Sequence, residues 1–297
     1  MSSLKEKTVK GVMWSSLDRF STQGIQFVFS ILIARLLLPS DYGIVAMLGI
    51  FLAISQTFID SGFSTALIRK IDRTEADYCT VFYFNIVVGL FFYGVLWFAS
   101  PWIASFYNIP LLEDVTKVLS LTFVFSSFSG IQNARLSIAI DFKTRAKISV
   151  IVAVLTGGVG LWMAYNGYGV WALVVQAVVS SLLRSVLLWM YVRWIPRLIF
   201  SWKSFRELFS FGSKLLASAL LDTTYNNIYP LVIGKFFSSS TLGVFSRAES
   251  LAQYPSSNIT NVLQGVTFPV LSSIQKEPER LSNAYKHFLR LDRKSVV

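Results

Sequence analysis

Histidine and cysteine are almost missing from this chain of 297 residues, with one of each, His287 and Cys79. A single cysteine excludes an internal disulfide. With no CxxC and no Cys/His cluster there is nothing to hold a structural zinc. Charge is scarce too: Lys, Arg, Asp and Glu make up 14% of the residues, against about 25% in an ordinary soluble domain. Neither GxxxxGK[ST] nor GxGxxG, HExxH or GxSxG occurs, so the common phosphate cradles, zinc-protease helices and nucleophile elbows are absent. The expectation is a protein with no cofactor and no metal that is not an enzyme.

Apolar residues fill the space left by charge. They make up 54% of the chain, aromatics 15%, and the mean hydropathy is +0.56. A membrane-crossing helix needs about 20 apolar residues. Eight stretches qualify: 12–38, 42–61, 79–103, 115–133, 148–166, 168–192, 209–233 and 241–272. Short turns separate them, such as PSDYG at 39–43 and NGYG at 166–169. Pro255 should kink or break the last. The expected fold is an all-α polytopic membrane protein. The basic start MSSLKEKTVKG has no cleavage site behind it, so the first stretch reads as an uncleaved span.

The net charge of +11 could point to nucleic acid. Its placement argues otherwise. With the N-terminus inside, one set of loops carries twenty of the 27 Lys and Arg residues, and the opposite loops only Lys117 and Lys235. That is the positive-inside pattern of a membrane protein, and no nucleic-acid partner is expected. His287, in a basic polar stretch, reads as a solvated loop residue.

A repeat lies inside the chain. Residues 31–46 read ILIARLLLPSDYGIVA and residues 231–246 read LVIGKFFSSSTLGVFS. At an offset of 200, Ile33 meets Ile233, Arg35 meets Lys235 and Gly43 meets Gly243. Parallel repeats of this kind build transporters whose substrate site lies between the halves. The expected division is a six-helix lobe over 1–192, a cytoplasmic linker over 193–208, and the first two helices of an incomplete second lobe over 209–297. The final DRKSVV departs in character from the apparent start of another span, which suggests a truncated reading frame.

Polar residues within the spans are clustered by face. On a helical wheel Asp18, Arg19, Thr22, Gln23, Gln26 and Ser30 share one side of the first span. Lys214, Ser218, Asp222, Tyr225 and Tyr229 share a face of the seventh. Arg247, Tyr254, Asn258 and Asn261 do so in the eighth, and Gln176, Ser180 and Arg184 in the sixth. A charge at the bilayer centre costs about 2.5–3.5 kcal/mol on insertion scales, so such residues mark a hydrophilic pathway or pair between helices. Asp18 and Arg19 remain open to the second reading, and Arg184 to snorkelling. Together the faces imply a hydrated, positive cavity. Arg suits phosphate through charge-assisted bidentate bonds, and amides and hydroxyls suit sugars. The candidate substrate-binding residues are Asp18, Arg19, Gln26, Lys214, Arg247, Tyr254 and Asn258.

KGVMWSSLDRF at the start, ARLLLPSDYGIVAM at 34–47, FIDSGFSTALIRK at 58–70 and FGSKLLASALLDTTYNNIYPLVIGKF at 211–236 resemble bacterial polysaccharide (O-antigen type) flippases. These form a branch of the multidrug/oligosaccharidyl-lipid/polysaccharide exporter superfamily. The resemblance runs over about residues 5–291. It implies two helical lobes around a central cavity in the bacterial inner membrane. It implies export of undecaprenyl-diphosphate-linked oligosaccharide by alternating access, with membrane lipids around the protein and a glycan polymerase and export machinery as partners. Arg19 and Arg247 match the family's diphosphate-binding arginines, and Asp222 the place of a coupling-ion carboxylate in some relatives. The chain departs from the family in length, since most of the second lobe is lacking. Two alternatives stand beside this reading: a multidrug extrusion-type cation antiporter, which a cationic cavity disfavours, and a structural partner of a glycan polymerase.

Overall fold

In a computed structural model, residues 2–60 and 62–252 are described, together with positions 271 and 282. Ten helices are bounded: α1 Ser2–Ala34, α2 Pro39–Met47, α3 Gly49–Asp60, α4 Phe63–Arg69, α5 Glu75–Tyr107, α6 Leu111–Leu119, α7 Leu121–Ile138, α8 Phe142–Tyr165, α9 Val170–Val192 and α10 Trp202–Phe236. A further helix, α11, starts at 239 and is described to 252. The described residues contain no strand.

Local chemistry sets the helix ends. Thr74 and Asp77 cap α5 reciprocally: the Thr74 hydroxyl accepts from the Asp77 N–H at 3.3 Å, and the Asp77 carboxylate from the Thr74 N–H at 2.8 Å, as in a capping box. Asp141 caps α8 and Ser201 caps α10, accepting from the N–H groups of Thr144 and Ser204. Asn108 and Arg193 close α5 and α9 in the left-handed region. In the turn at 166–169, Gly167 and Gly169 take φ of +77° and +53°, which glycine adopts without steric cost.

The eight expected stretches map onto these helices with two breaks. The second is interrupted at Leu48, between α2 and α3, and the fourth at Ser120, between α6 and α7. Four segments among the described residues are long and apolar enough to cross a membrane: Gly49–Arg69, Glu75–Tyr107, Phe142–Tyr165 and Val170–Val192. α1 contributes a shorter apolar stretch, Phe20–Ala34. Helix α10 begins at Trp202, and residues 193–201 are tied to the start of α5: Arg197 N–H donates to Cys79 Sγ at 3.3 Å and Ser201 N–H to Thr80 Oγ1 at 3.0 Å. Of the eighth stretch only the part to 252 is described, so Pro255 and His287 lie outside the described residues.

Small residues let the helices close up, as in other membrane bundles. α1 lies along α8, with Phe29 seated over Gly157, and α5 meets α7 where Gly89 faces Ser127. A Cβ at Gly157 would stand 2.3 Å from the Phe29 ring. Gly157→Val is therefore expected to push α1 from α8 and cost about 1–3 kcal/mol, the range for overpacking. The check is a lower thermal midpoint in detergent, with Gly158→Val, next to open space, as the unaffected control.

α10 packs along α3 and reaches α4, α5 and α2. Gly62 and Gly212 meet backbone to backbone, and Thr57 Oγ1 lies 3.0 Å from Thr223 Oγ1. At one end Lys70 Nζ bridges Asp77 Oδ1 and Glu207 Oε2, each at 3.0 Å. At the other, Lys235 Nζ donates to the Phe106 carbonyl.

Candidate functional site

A cavity of about 300 Å³ lies between α1, α8, α9 and α11. α1 contributes Gln26, Phe29, Ser30 and Ile33. α8 contributes Thr156 and Gly157, α9 contributes Gln176 and Ser180, and Arg247 enters from α11. The wall is built locally from helical spacing: 26, 29, 30 and 33 follow one another on one face of α1, and 173, 176, 177 and 180 on one face of α9. Gln176 packs close on α8 beside it, since a Cβ at Gly160 would meet its side chain at 2.6 Å.

Arg247 is the cation of this cavity. Its guanidinium carbon sits 3.7 Å from the centroid of the Tyr42 ring, a cation–π contact. Its Nε is buried without a hydrogen-bond partner. A buried donor left unpaired costs about 1–3 kcal/mol, and an oxygen-rich anion in the cavity would satisfy it. Gln26, Gln176, Ser180 and Thr156 add amide and hydroxyl groups on the opposing walls. The volume is at the low end of ligand pockets, roughly 300–1,000 Å³, and suits a head group or one sugar ring rather than a whole oligosaccharide.

The candidates named from sequence divide into four groups. Gln26 and Arg247 come together in the cavity, and so do Gln176 and Ser180 of the α9 face. Asp18 lies deeper toward the N-terminal end of α1, half-buried, and accepts from Thr22 Oγ1 at 3.3 Å. It does not line this cavity. Lys214 and Asp222 are exposed on α10, with Ser218, Tyr225 and Tyr229. That stripe faces away from α3, so neither residue lines the cavity with Arg247. The Arg19 side chain, Tyr254 and Asn258 lie outside the described residues. Tyr42 was not singled out from sequence, because one tyrosine in a turn carries no chemical signal of its own.

The profile of a family described as "Polysaccharide biosynthesis protein" matches residues 32–293. The teichuronic acid biosynthesis protein TuaB of Bacillus subtilis (strain 168) is 25% identical over 98% of this chain and 61% of its own. The succinoglycan biosynthesis transport protein ExoT of Rhizobium meliloti (strain 1021) is 26% identical over 94% of this chain and 56% of its own. The lipopolysaccharide biosynthesis protein WzxC of Escherichia coli (strain K12) is 25% identical over 96% of this chain and 58% of its own. The chain thus spans about three-fifths of the length of these relatives. Among solved structures, a MATE transporter in complex with MaD5 superposes with a TM-score of 0.68 at 15% identity, covering 97% of this chain and 71% of that one. An inward-facing MATE family transporter of the MOP superfamily gives 0.51 at 16% identity, over 95% and 66%. At such identities the likeness is one of fold.

Proposed function

The chain belongs to the polysaccharide biosynthesis protein family, and from that premise we propose that it is part of a flippase that exports lipid-linked oligosaccharide across the bacterial inner membrane. The observation that carries the reading is the cavity, in which an incompletely paired arginine faces amides and hydroxyls. Arg247 would hold the phosphate oxygens of an undecaprenyl-diphosphate-type carrier, and Gln26, Gln176 and Ser180 the sugar next to them. The work asked of the protein is transport rather than catalysis. Asp222 stays a candidate for ion coupling. Its exposed stripe with Lys214 and Tyr225 would become a cavity wall on packing against further helices of a second lobe. A glycan polymerase and its export machinery fit as downstream partners.

Deleting the native locus is the test. The expected result is loss of surface glycan with build-up of lipid-linked oligosaccharide on the cytoplasmic side. Unchanged glycan with new sensitivity to cationic drugs would replace the flippase by the antiporter that the MATE-like fold also permits.

The placement of Lys and Arg supports one orientation: N-terminus and the loops near 73, 143 and 203 inside, those near 108 and 167 outside. Alkaline-phosphatase fusions should be active at 108 and 167 and silent at 143. Activity at 143 would reverse it.

A further inference from the structure

The glycines of the repeated segment meet each other. A Cβ at Gly43 would fall 1.8 Å from the Ser239 carbonyl oxygen, and a Cβ at Gly243 would fall 1.8 Å from the Pro39 carbonyl oxygen. Positions 39 and 239 correspond at the 200-residue offset, as do 43 and 243. The helices α2 and α11 also begin at corresponding residues, 39 and 239. One contact is therefore made twice, once in each direction, as in an isologous interface. Such a pair straddles the axis that relates the two repeats, and a pathway between the two halves runs along that axis.

The surroundings of the contact are those of a closure. Tyr42 adjoins Gly43, Arg247 stands one turn beyond Gly243, and the guanidinium of one covers the ring of the other. Around Tyr42 an apolar cluster is formed with Ile33, Leu37, Ala164 and Ala172. These residues come from the ends of α1 and α8, the turn between α1 and α2, and the starts of α2 and α9. The cavity residues Gln26, Thr156 and Ser180 lie deeper on α1, α8 and α9. The apolar cluster thus sits between the cavity and the end of the molecule opposite the basic loops.

We propose that the α2–α11 junction is the gate that closes the cavity toward the face opposite the basic loops, with the Gly43–Gly243 contact as its seal and the Arg247–Tyr42 pair as its latch. This rests on the transport reading above and deepens it. The latch arginine is also the cavity's cation, so what the cavity holds bears directly on whether the gate stays shut. Any side chain at either glycine is a wedge, because the obstacle at 1.8 Å is backbone and has no rotamer to yield.

The single cysteine of this chain makes this testable. In a Cys79→Ala background, Ser180→Cys becomes the only thiol and reports from the cavity wall. An impermeant maleimide is added from the face opposite the basic loops. Labelling should be slow in this parent. Gly43→Val and Gly243→Val should each raise its rate about ten-fold or more, and Tyr42→Leu and Arg247→Gln several-fold. Gly24→Val, with nothing within 4 Å of its Cβ, should leave it unchanged. Unchanged labelling in the two wedge variants, or an equal rise in Gly24→Val, overturns the proposal. If the valine forms fail to reach the membrane, Gly43→Ala carries the same obstructed Cβ and Tyr42→Leu adds no bulk; unchanged labelling in both is equally fatal. No glycan enters the assay. A gate that opens on cue in a protein that exports no glycan would sink the substrate reading alone.

Discussion

Lys70→Ala is expected to lower the stability of the membrane-inserted protein by about 3–5 kcal/mol, the cost of leaving a buried carboxylate without its cation. The Asp77 side chain is wholly buried and that of Lys70 is 18% exposed, with 3.0 Å between them. Once the ammonium is removed, Asp77 keeps its bonds to the Thr74 N–H and hydroxyl, which hold the oxygens but supply no charge. Burial alone would lower the Lys70 pKa, but Asp77 and Glu207 outweigh it and hold it above the ordinary lysine value. Since the folded-state value is raised, this contribution is complete below the ordinary lysine pKa. It is lost only as pH climbs through the raised value, so stability from this pair is flat across neutral pH. Asp77→Asn should be milder than Lys70→Ala, because the amide oxygen still caps α5 and no charge is stranded. Lys70→Met with Asp77→Leu should recover part of the loss, since an apolar pair needs no counter-charge, though the cap is gone. Thermal midpoints in detergent decide the order. A Lys70→Ala protein as stable as its parent would mean that water reaches Asp77.

Arg247→Ala is expected to nearly abolish surface glycan per molecule of inserted protein when the protein is expressed from its native locus, a fall of about 100-fold. A charge-assisted hydrogen bond to an ionised group is worth about 1.5–3 kcal/mol, and the guanidinium fork makes two such bonds to phosphate oxygens. Arg247→Lys keeps the charge and loses the planar fork, so partial export should remain. Gln26→Ala removes one amide from the opposite wall and should be the mildest of the three. The amount of inserted protein must be measured alongside. If Arg247 only stacked on Tyr42, Arg247→Lys would export as the parent does and Arg247→Ala would lose protein rather than activity. Full export per molecule in Arg247→Ala would remove this arginine from the site.

The class of this protein was legible in its composition and period. Apolar stretches of about 20 residues have one stable solution in a bilayer, the helix that satisfies its own backbone, and the described residues form helices joined by short turns, with no strand among them. The repeat at an offset of 200 was legible as well, and the glycine pair within it was already visible as Gly43 and Gly243. Helix periodicity also sorted polar from apolar faces, and it placed Gln26, Gln176, Ser180 and Arg247 on polar ones.

What the faces touch was decided by packing between distant helices. A helical wheel says that Lys214, Asp222 and Tyr225 point one way, but not toward what. In the fold the face bearing Thr223 and Asn227 turns to α3, and the polar stripe is left outward. Asp77 lies just before the third apolar stretch, at 79–103, and its position in the sequence carries no sign of burial. It became buried because Lys70 and the start of α10 closed over it. The approach of Gly43 to Ser239 and of Gly243 to Pro39 needs two turns 200 residues apart to cross at one point. No local pattern encodes that meeting. A missing side chain gives a sequence no sign of contact, and it is the missing Cβ atoms that let the two backbones come so close.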